Sequence, residues 1–456
     1  MNRRTFLKLS ALTLLSISCR SVFPRKEVIP TKNPRKVIII GAGMAGAGAA
    51  SHLKEMGHEV LVLEARNRIG GRIFTDRSGG YPIDLGAAWI HGSLGNPLIE
   101  LAERYSVKTK ETDFENIMLV YESKKISKLD LYSAHKKFES ILKKIEYFTE
   151  DNPSVTSLKS YLEKEYSRLN LPPLDRKVFE FLERGLENEN ASTLSETSAY
   201  AFFHTTENYE GEDELVYGGY DSILKGLLRD VPVLLDEQVL HIRNQNSEIS
   251  VETSKGLHRG DFVIVTVPVS VLQKKSIQFT PSLPPEKVRS INAIPMGIFN
   301  KYILEFEDKF WSDEEVFADL TQPNPMYDLI FNFHSYLKVP VLGFMGTGER
   351  SDRFGMDPDM KSLALSELKN IFQKKIPEPR RILSTQWGRD EFALGSYSYA
   401  VNHMKSYIRE YSRPLGNIHF AGEATHEKYF SYVHGAYLSG IREAELIASK
   451  TNSSSP

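Results

Sequence analysis

The run Gly41-Ala42-Gly43-Met44-Ala45-Gly46, with an acid at Glu64, is the first place in this chain where residue types and spacing point to chemistry. It comes directly after Val37-Ile38-Ile39-Ile40, an unbroken β-branched run of the kind that forms a buried parallel strand. Ala47 to Met56 then reads as a helix, and Glu59-Val60-Leu61-Val62-Leu63 as a second strand ending at Glu64. Each glycine has its own task in such a unit. Gly41 permits the tight turn, Gly43 lets backbone approach a pyrophosphate, and Gly46 lets the helix pack closely on the strand. The helix N-terminus offers unbonded N–H groups to the phosphates. Glu64, eighteen residues past Gly46, is placed to accept hydrogen bonds from a ribose. The glycine pattern is weak alone, but strand, turn, helix, strand and acid within about thirty residues supply the context it needs. The chemistry is dinucleotide binding, with FAD and NAD both open at this point.

The residues just past Glu64 narrow the choice. In Arg68-Ile69-Gly70-Gly71-Arg72, two more glycines allow close backbone approach, and Arg72 can pair with phosphate oxygens. From Gly41 through Glu64-Ala65-Arg66 to Gly70-Gly71-Arg72, the chain resembles the FAD-binding start of the flavin amine oxidases. A second match lies far downstream. Ile418-His419-Phe420-Ala421-Gly422-Glu423 reads as strand and turn, and Tyr432-Val433-His434-Gly435-Ala436-Tyr437-Leu438-Ser439-Gly440 opens a helix. The resemblance covers almost all of residues 36–450. It implies an FAD site built from Gly41, Gly43, Ala45, Gly46, Glu64, Arg66, Gly71 and Arg72. It adds Ala88 and Trp89, Val239 beside the adenine, Trp387 along one side of the flavin, and Gly422, Glu423 and Val433. Met44 and His434 read as packing residues.

The substrate end resembles one branch of that family. Gly86-Ala87-Ala88-Trp89-Ile90-His91-Gly92, followed by Asn96-Pro97, is similar to the polyamine and spermine oxidases, which carry a histidine here. His91 is therefore implied in the active site. Met296-Gly297-Ile298-Phe299-Asn300-Lys301 matches the segment whose lysine holds a water against flavin N5, a task that suits a flexible, readily tuned ammonium. Tyr397 and Tyr432 fall where the family sets two aromatic rings facing each other across the substrate. Such a slot excludes water, and its π faces favour an amine nitrogen. Ser396 stands where monoamine oxidases have the cysteine that bonds FAD, so the FAD is expected to be non-covalent. Glu187, in Leu186-Glu187-Asn188, resembles a tunnel acid that can pair with a distal ammonium, although Asn188 departs from the usual Phe.

The implied reaction is oxidation of an amine, with polyamines foremost. A hydride passes from the carbon beside nitrogen to flavin N5, the imine is hydrolysed to a carbonyl, and O2 is reduced to H2O2. The partners are thus a small-molecule amine and O2. Two other readings stand beside this one. An L-amino-acid oxidase, or another oxidoreductase on the same fold, would need an arginine for the substrate carboxylate, and Arg389 is a remote candidate. A flavin-bound but non-catalytic surface lipoprotein would leave Lys301, Trp387 and both tyrosines unexplained.

The elements that must position these groups imply an α/β chain, α+β overall. The resemblance gives a Rossmann-type FAD-binding domain and a discontinuous substrate-binding domain of mixed sheet and helices, amine-oxidase-like. Residues 36–105, 210–275 and 395–450 are assigned to the first, with Asp261 to Pro268 as one of its later strands. Residues 106–209, rich in Lys, Glu and Leu, read as mostly helical, and 276–394 as a sheet roofing the flavin. The tail 451–456 reads as disordered.

A chain of 456 residues, 41% hydrophobic and 25% charged, has room for two or three domains and is neither disordered, collagen-like nor coiled coil. Its single cysteine, Cys19, rules out an internal disulfide, a cysteine-rich zinc site and a four-cysteine iron–sulfur cluster. A net charge of −2 gives no reason to expect nucleic acid. That charge is uneven. Residues 1–36 hold nine Lys/Arg and one acid, leaving −10 on the remaining 420 residues, a sign that suits cationic substrates. The basic start, with Arg3-Arg4 before Phe6-Leu7-Lys8, precedes an apolar run from Leu9 to Ser18. That run is too short to span a bilayer and reads as a secretory signal. It resembles a bacterial twin-arginine leader, whose route exports proteins already folded around their cofactor. Cys19, after Leu15-Ser16-Ile17-Ser18, resembles a lipoprotein cleavage site, with Ser16 where an aliphatic residue is usual. Residues 20–35 then read as a tether, and the expected location is periplasmic or membrane-anchored.

Overall fold

The computed structural model describes residues 31–453 apart from Lys32, Asn246, Ser247 and Asn324. The leader, Cys19 and most of the tether lie outside the described residues.

The glycine motif sits on a five-stranded sheet in the order Val233–Leu234, Glu59–Leu63, Lys36–Ile40, Phe262–Val265, Ile418–Phe420. Every pairing in it is parallel. Val37 to Ile40 are all buried, and a strand covered on both faces needs apolar side chains at every position rather than at alternate ones. The helix Met44–Glu55 comes after the turn and packs against the C-terminal helix Val433–Ser453. Glycines set how close the two come. A Cβ on Gly48 would lie 2.8 Å from the Tyr437 ring, and one on Gly440 would lie 2.1 Å from the Ala45 carbonyl oxygen. This contact joins the two sequence matches, nearly four hundred residues apart, into one unit.

The C-terminal helix also corrects the tail predicted to be disordered from residue 451. It runs to Ser453, with Thr451 buried, its Oγ1 donating to the Ala448 carbonyl and its own carbonyl accepting from Asn33 Nδ2.

A second sheet has the order Leu257–Gly260, Glu248–Thr253, Val239–Gln245, Gln278–Thr280. Its last strand comes from beyond residue 275, the limit the sequence suggested for that part of the cofactor domain. A seven-stranded sheet runs Arg381–Ser384, Phe299–Glu305, Val341–Thr347, Leu329–Asn332, Val316–Asp319, Ile117–Tyr121, Lys124–Lys125. Two of these strands come from the region read as mostly helical. Ile117-Met118-Leu119-Val120-Tyr121 is a short apolar β-prone run, and Ile117–Val120 pair in parallel with Val316–Asp319. The rest of that region is helical. Lys128–Glu150, Leu158–Tyr166, Pro173–Asn190 and Ala199–His204 share a core of Phe138, Phe179, Leu182 and Phe202. Among the described residues no helix is long and apolar enough to cross a membrane.

One buried cation closes a helix in this framework. Lys287 is 0% exposed, and its Nζ donates to the carbonyls of Glu410 (2.7 Å), Tyr411 (2.8 Å) and Arg413 (2.7 Å), at the end of the helix Met404–Ser412. Those are carbonyls that a helix C-terminus leaves unpaired. The same ammonium lies 4.5 Å from the centre of the Phe420 ring, next to the sheet. Lys287→Met would keep the stem and orphan the carbonyls. Thermal unfolding should show a loss of about 3 kcal/mol, with several degrees off the midpoint.

Candidate functional site

The turn after Lys36–Ile40 works as its glycines predict. Gly41 has φ +103°, and a Cβ on it would lie 2.8 Å from Thr266 Oγ1. Gly46 lies behind the turn, where a Cβ would fall 2.0 Å from the Gly41 carbonyl oxygen. Bare backbone meets bare backbone at the front: a Cβ on Gly71 would stand 3.8 Å from the Gly43 Cα. Glu64 is buried and braces the loop it serves, accepting from Ala42 N (2.8 Å) and Arg66 N (2.9 Å). A carboxylate has about four acceptor positions, so lone pairs remain for a ribose.

A cavity of about 500 Å³ opens beside this turn. Gly41, Gly43, Ala45, Glu64, Arg66 and Val239 line it, as do Gly71 and Arg72. So do Ala88, Trp89, Trp387, Gly422, Glu423 and Val433. Of the residues the sequence assigned to the cofactor, Gly46 alone is not in the wall; it packs behind the turn. Lys301, His91, Tyr397 and Tyr432 line the same cavity.

Glu423 acts through its neighbours. Its carboxylate accepts from Arg72 (2.9 Å), from Ser398 Oγ (2.5 Å) and from Ser431 N (2.9 Å), and Arg72 also donates to the Ser396 carbonyl (3.0 Å). The acid thus ties the second glycine pair to the entry of the C-terminal helix. Arg66 is held by a bidentate pair with Asp390 (2.9 and 2.5 Å). Trp387 is buried, its indole N–H directed to the Leu85 carbonyl at 3.4 Å. The Ser396 hydroxyl donates to the Phe299 carbonyl (2.9 Å) and accepts from the Phe299 N–H (2.8 Å).

Lys301, 2% exposed, donates from Nζ to the carbonyls of Asp84 (2.7 Å) and Gly86 (2.7 Å). Its ammonium is 5.7 Å from the centre of the Trp89 ring. Burial pushes the lysine pKa below its usual range, opposed by the nearby Asp84 carboxylate. Burial pushes Asp84 up, opposed first by Thr75 Oγ1, which donates at 2.5 Å, and then by Lys301. The Tyr397 hydroxyl donates to the Asn188 carbonyl, and burial raises its pKa so that the ring stays neutral. Tyr432 is stacked on His434 (4.9 Å between centres, 11° between planes) and meets His91 edge-on at 5.5 Å.

Two sequence assignments change. Glu187 does not line the cavity. It accepts from Leu194 N (3.1 Å) and pairs with Arg350 (2.7 Å). On the helix Pro173–Asn190, Glu189 is turned about 200° from it and stands in the cavity wall with Asn188, near Tyr397. Arg389 is exposed and outside the wall, where the arginines are Arg66 and Arg72 beside the glycine turns. The sequence also passed over Asp84, Asp213 and Phe299.

These residues fit an FAD. Two glycine turns leave room for a pyrophosphate, Gly422 has open space where a Cβ would be, and the N-terminus of the helix Val433–Ser453 borders the same cavity.

Residues 44–448 match the family description "flavin containing amine oxidoreductase". Polyamine oxidase 2 of Arabidopsis thaliana is 31% identical over 442 residues, covering 93% of this chain and 90% of that protein. Polyamine oxidase 4 of Oryza sativa subsp. japonica is 32% identical, covering 91% and 88%. Lysine-specific histone demethylase 1 homolog 2 of Arabidopsis thaliana is 30% identical, covering 91% of this chain and 59% of that protein.

The Arg72–Glu423 pair gives the site its first test. Glu423→Leu would strand Arg72, Ser398 Oγ and the Ser431 N–H, a loss of about 3–5 kcal/mol for a broken buried pair. The protein should purify with little flavin, read as the ratio of visible flavin absorbance to protein absorbance.

Proposed function

The chain belongs to the family of flavin-containing amine oxidoreductases, and on that footing we propose that the amines it oxidises are polyamines. The observation that carries this reading is the company Glu189 keeps. A carboxylate stands in the same cavity wall as Tyr397, Tyr432 and Lys301, so a substrate with one amine at the reacting position can lay a second, cationic amine toward an acid. The relatives named polyamine oxidases support it. An amino acid would instead need a cation for its carboxylate, and Arg389 stands outside the cavity.

A bound FAD would supply the acceptor for a hydride from the carbon beside the amine nitrogen and the route for its electrons to O2. The chain supplies placement and environment. The rings of Tyr397 and Tyr432 border an apolar space for a neutral amine, and the bond from Tyr397 to Asn188 fixes one of them. Lys301, anchored by two carbonyls, keeps further hydrogen-bonding capacity for a water on the cavity side. Burial lowers its proton affinity, which suits it to trade a proton at that water. The Ser396 hydroxyl, engaged by Phe299, supports a dissociable cofactor.

We also infer export from Arg3-Arg4 and the short apolar run, with Cys19 as the acylated residue of a lipid anchor. Palmitate labelling of expressing cells should mark the protein, and Cys19→Ala should abolish the label.

Acid precipitation should release the yellow colour into the supernatant; colour retained on the protein would refute a non-covalent flavin. Mixed without oxygen, spermine or spermidine should bleach the flavin, at a rate that climbs between about pH 6 and pH 10 as the amine loses its proton. Bleaching by amino acids alone, or a flat pH profile, would overturn the reading. Lys301→Met should slow turnover about 100-fold while the flavin content stays near wild type.

A further inference from the structure

The histidine of the cavity is half of a pair. His91 Nδ1 lies 2.9 Å from Asp213 Oδ2. Asp213 is 0% exposed, and its other oxygen accepts from Gly92 N at 3.0 Å. Its carbonyl accepts from Thr112 N at 2.9 Å. The strand Glu214–Val216 pairs with Trp89–Ile90 in the register Trp89↔Leu215 and Ile90↔Glu214, which sets Asp213 opposite His91. The carboxylate is thus gripped by the turn that carries the histidine. With Nδ1 committed to the carboxylate, the ring has one nitrogen left, and no group among the described residues bonds it. His91 borders the cavity, its side chain 32% exposed.

We propose that Asp213 is a positioning residue for amine oxidation: it holds His91 as the Nδ1–H tautomer, so that Nε2 accepts the proton a cationic amine must lose before its α-carbon can release hydride. This deepens the polyamine reading and rests on it. In the step, an N–H bond of the substrate ammonium breaks and its electron pair stays on the amine nitrogen. The proton forms a bond to Nε2, and the resulting imidazolium is held by the Asp213 carboxylate. Nothing is oxidised or reduced. The imidazolium later returns its proton to solvent.

The surroundings single out this histidine. His434 and His426 lie close by, but burial lowers both, His426 to about 4, so they stay neutral. His434 is 1% exposed, lies against the Tyr432 face, and has Asn96, not a carboxylate, at its Nδ1 (3.3 Å). The other charged or titratable groups around His91 are Glu214 on the paired strand, Tyr432 at its edge and Lys301 beyond Trp89. Burial disfavours the Asp213 anion most, but the charge of a protonated His91 and the hydrogen bonds from His91 and Gly92 N together hold the carboxyl below its usual range.

Asp213→Asn provides the test. Its amide N–H would face Nδ1 and force the ring proton onto Nε2, which then has no lone pair to offer. In the FAD-loaded protein without oxygen, flavin reduction by spermidine should fall about 100-fold near pH 7 but recover to within about threefold of wild type near pH 10, where the amine arrives neutral. His91→Ala should show the same alkaline recovery. Nitrogen-15 histidine spectra of the resting holoenzyme, taken without substrate, should show Nε2 unprotonated in the wild type and protonated in Asp213→Asn. A loss equal at every pH, no loss, or a protonated Nε2 in neutral wild-type His91 would overturn the proposal. Failure of every polyamine to reduce the wild type would instead strike the functional reading, because the tautomer is read without turnover.

Discussion

The site depends on two helices coming closer than side chains normally allow. Gly48 and Gly440 leave the helices Met44–Glu55 and Val433–Ser453 nearly backbone to backbone, and no residue with a Cβ fits at Gly440. That approach brings the first glycine turn and the entry to the last helix to the border of one cavity. The Arg72–Glu423 bond fastens the same two parts of the chain by charge, and Ser431 N joins it at the helix entry. Packing sets the separation, and the ion pair and its hydrogen bonds keep the parts in register.

Four basic side chains of the cavity wall that flank cofactor and substrate are partnered within the protein. Arg72 has Glu423, Arg66 has Asp390, His91 has Asp213, and Lys301 has two carbonyls with Asp84 behind them. Isolated buried charges would be expensive, and pairing also preorients each group before a ligand arrives. The two arginines sit with the glycine turns, whereas the tyrosines, histidine and Glu189 bring aromatic and acidic surface suited to amines. One continuous cavity can thus take an anionic cofactor and a basic substrate.

The cofactor half was readable because its residues do their work close together in sequence. A turn, its helix and the acid ending the next strand all fall between Gly41 and Glu64, and glycine is needed there for steric reasons that the structure repeats. The substrate half was readable only where a motif fixed the position, as at His91, Lys301, Tyr397 and Tyr432. Glu187 shows the limit. Two acids two residues apart on one helix differ by over half a turn in direction, and composition cannot choose between them. Asp213 was hidden differently. In Glu210-Gly211-Glu212-Asp213-Glu214 it looks like part of a solvated acidic loop, and only strand pairing shows that this one acid is turned inward. The strand Ile117–Tyr121 makes a two-residue hairpin pairing with Lys124–Lys125, too short to stand out in a Lys- and Glu-rich region, and the partner that fixes it in the sheet, Val316–Asp319, lies almost two hundred residues away.

The arrangement of the parallel sheet also governs the order of assembly. Lys36–Ile40, the first strand, is central, while Ile418–Phe420, the last, forms one edge and leads directly into the turn at Glu423. The cradle therefore stays open on one side until the final tenth of the chain has been synthesised and docked. An emerging chain can offer phosphate-binding backbone early, but it has nothing with which to close over a ligand. Retention of the cofactor is thus a late event, and the compartment in which the last helix docks is the one that must supply the FAD.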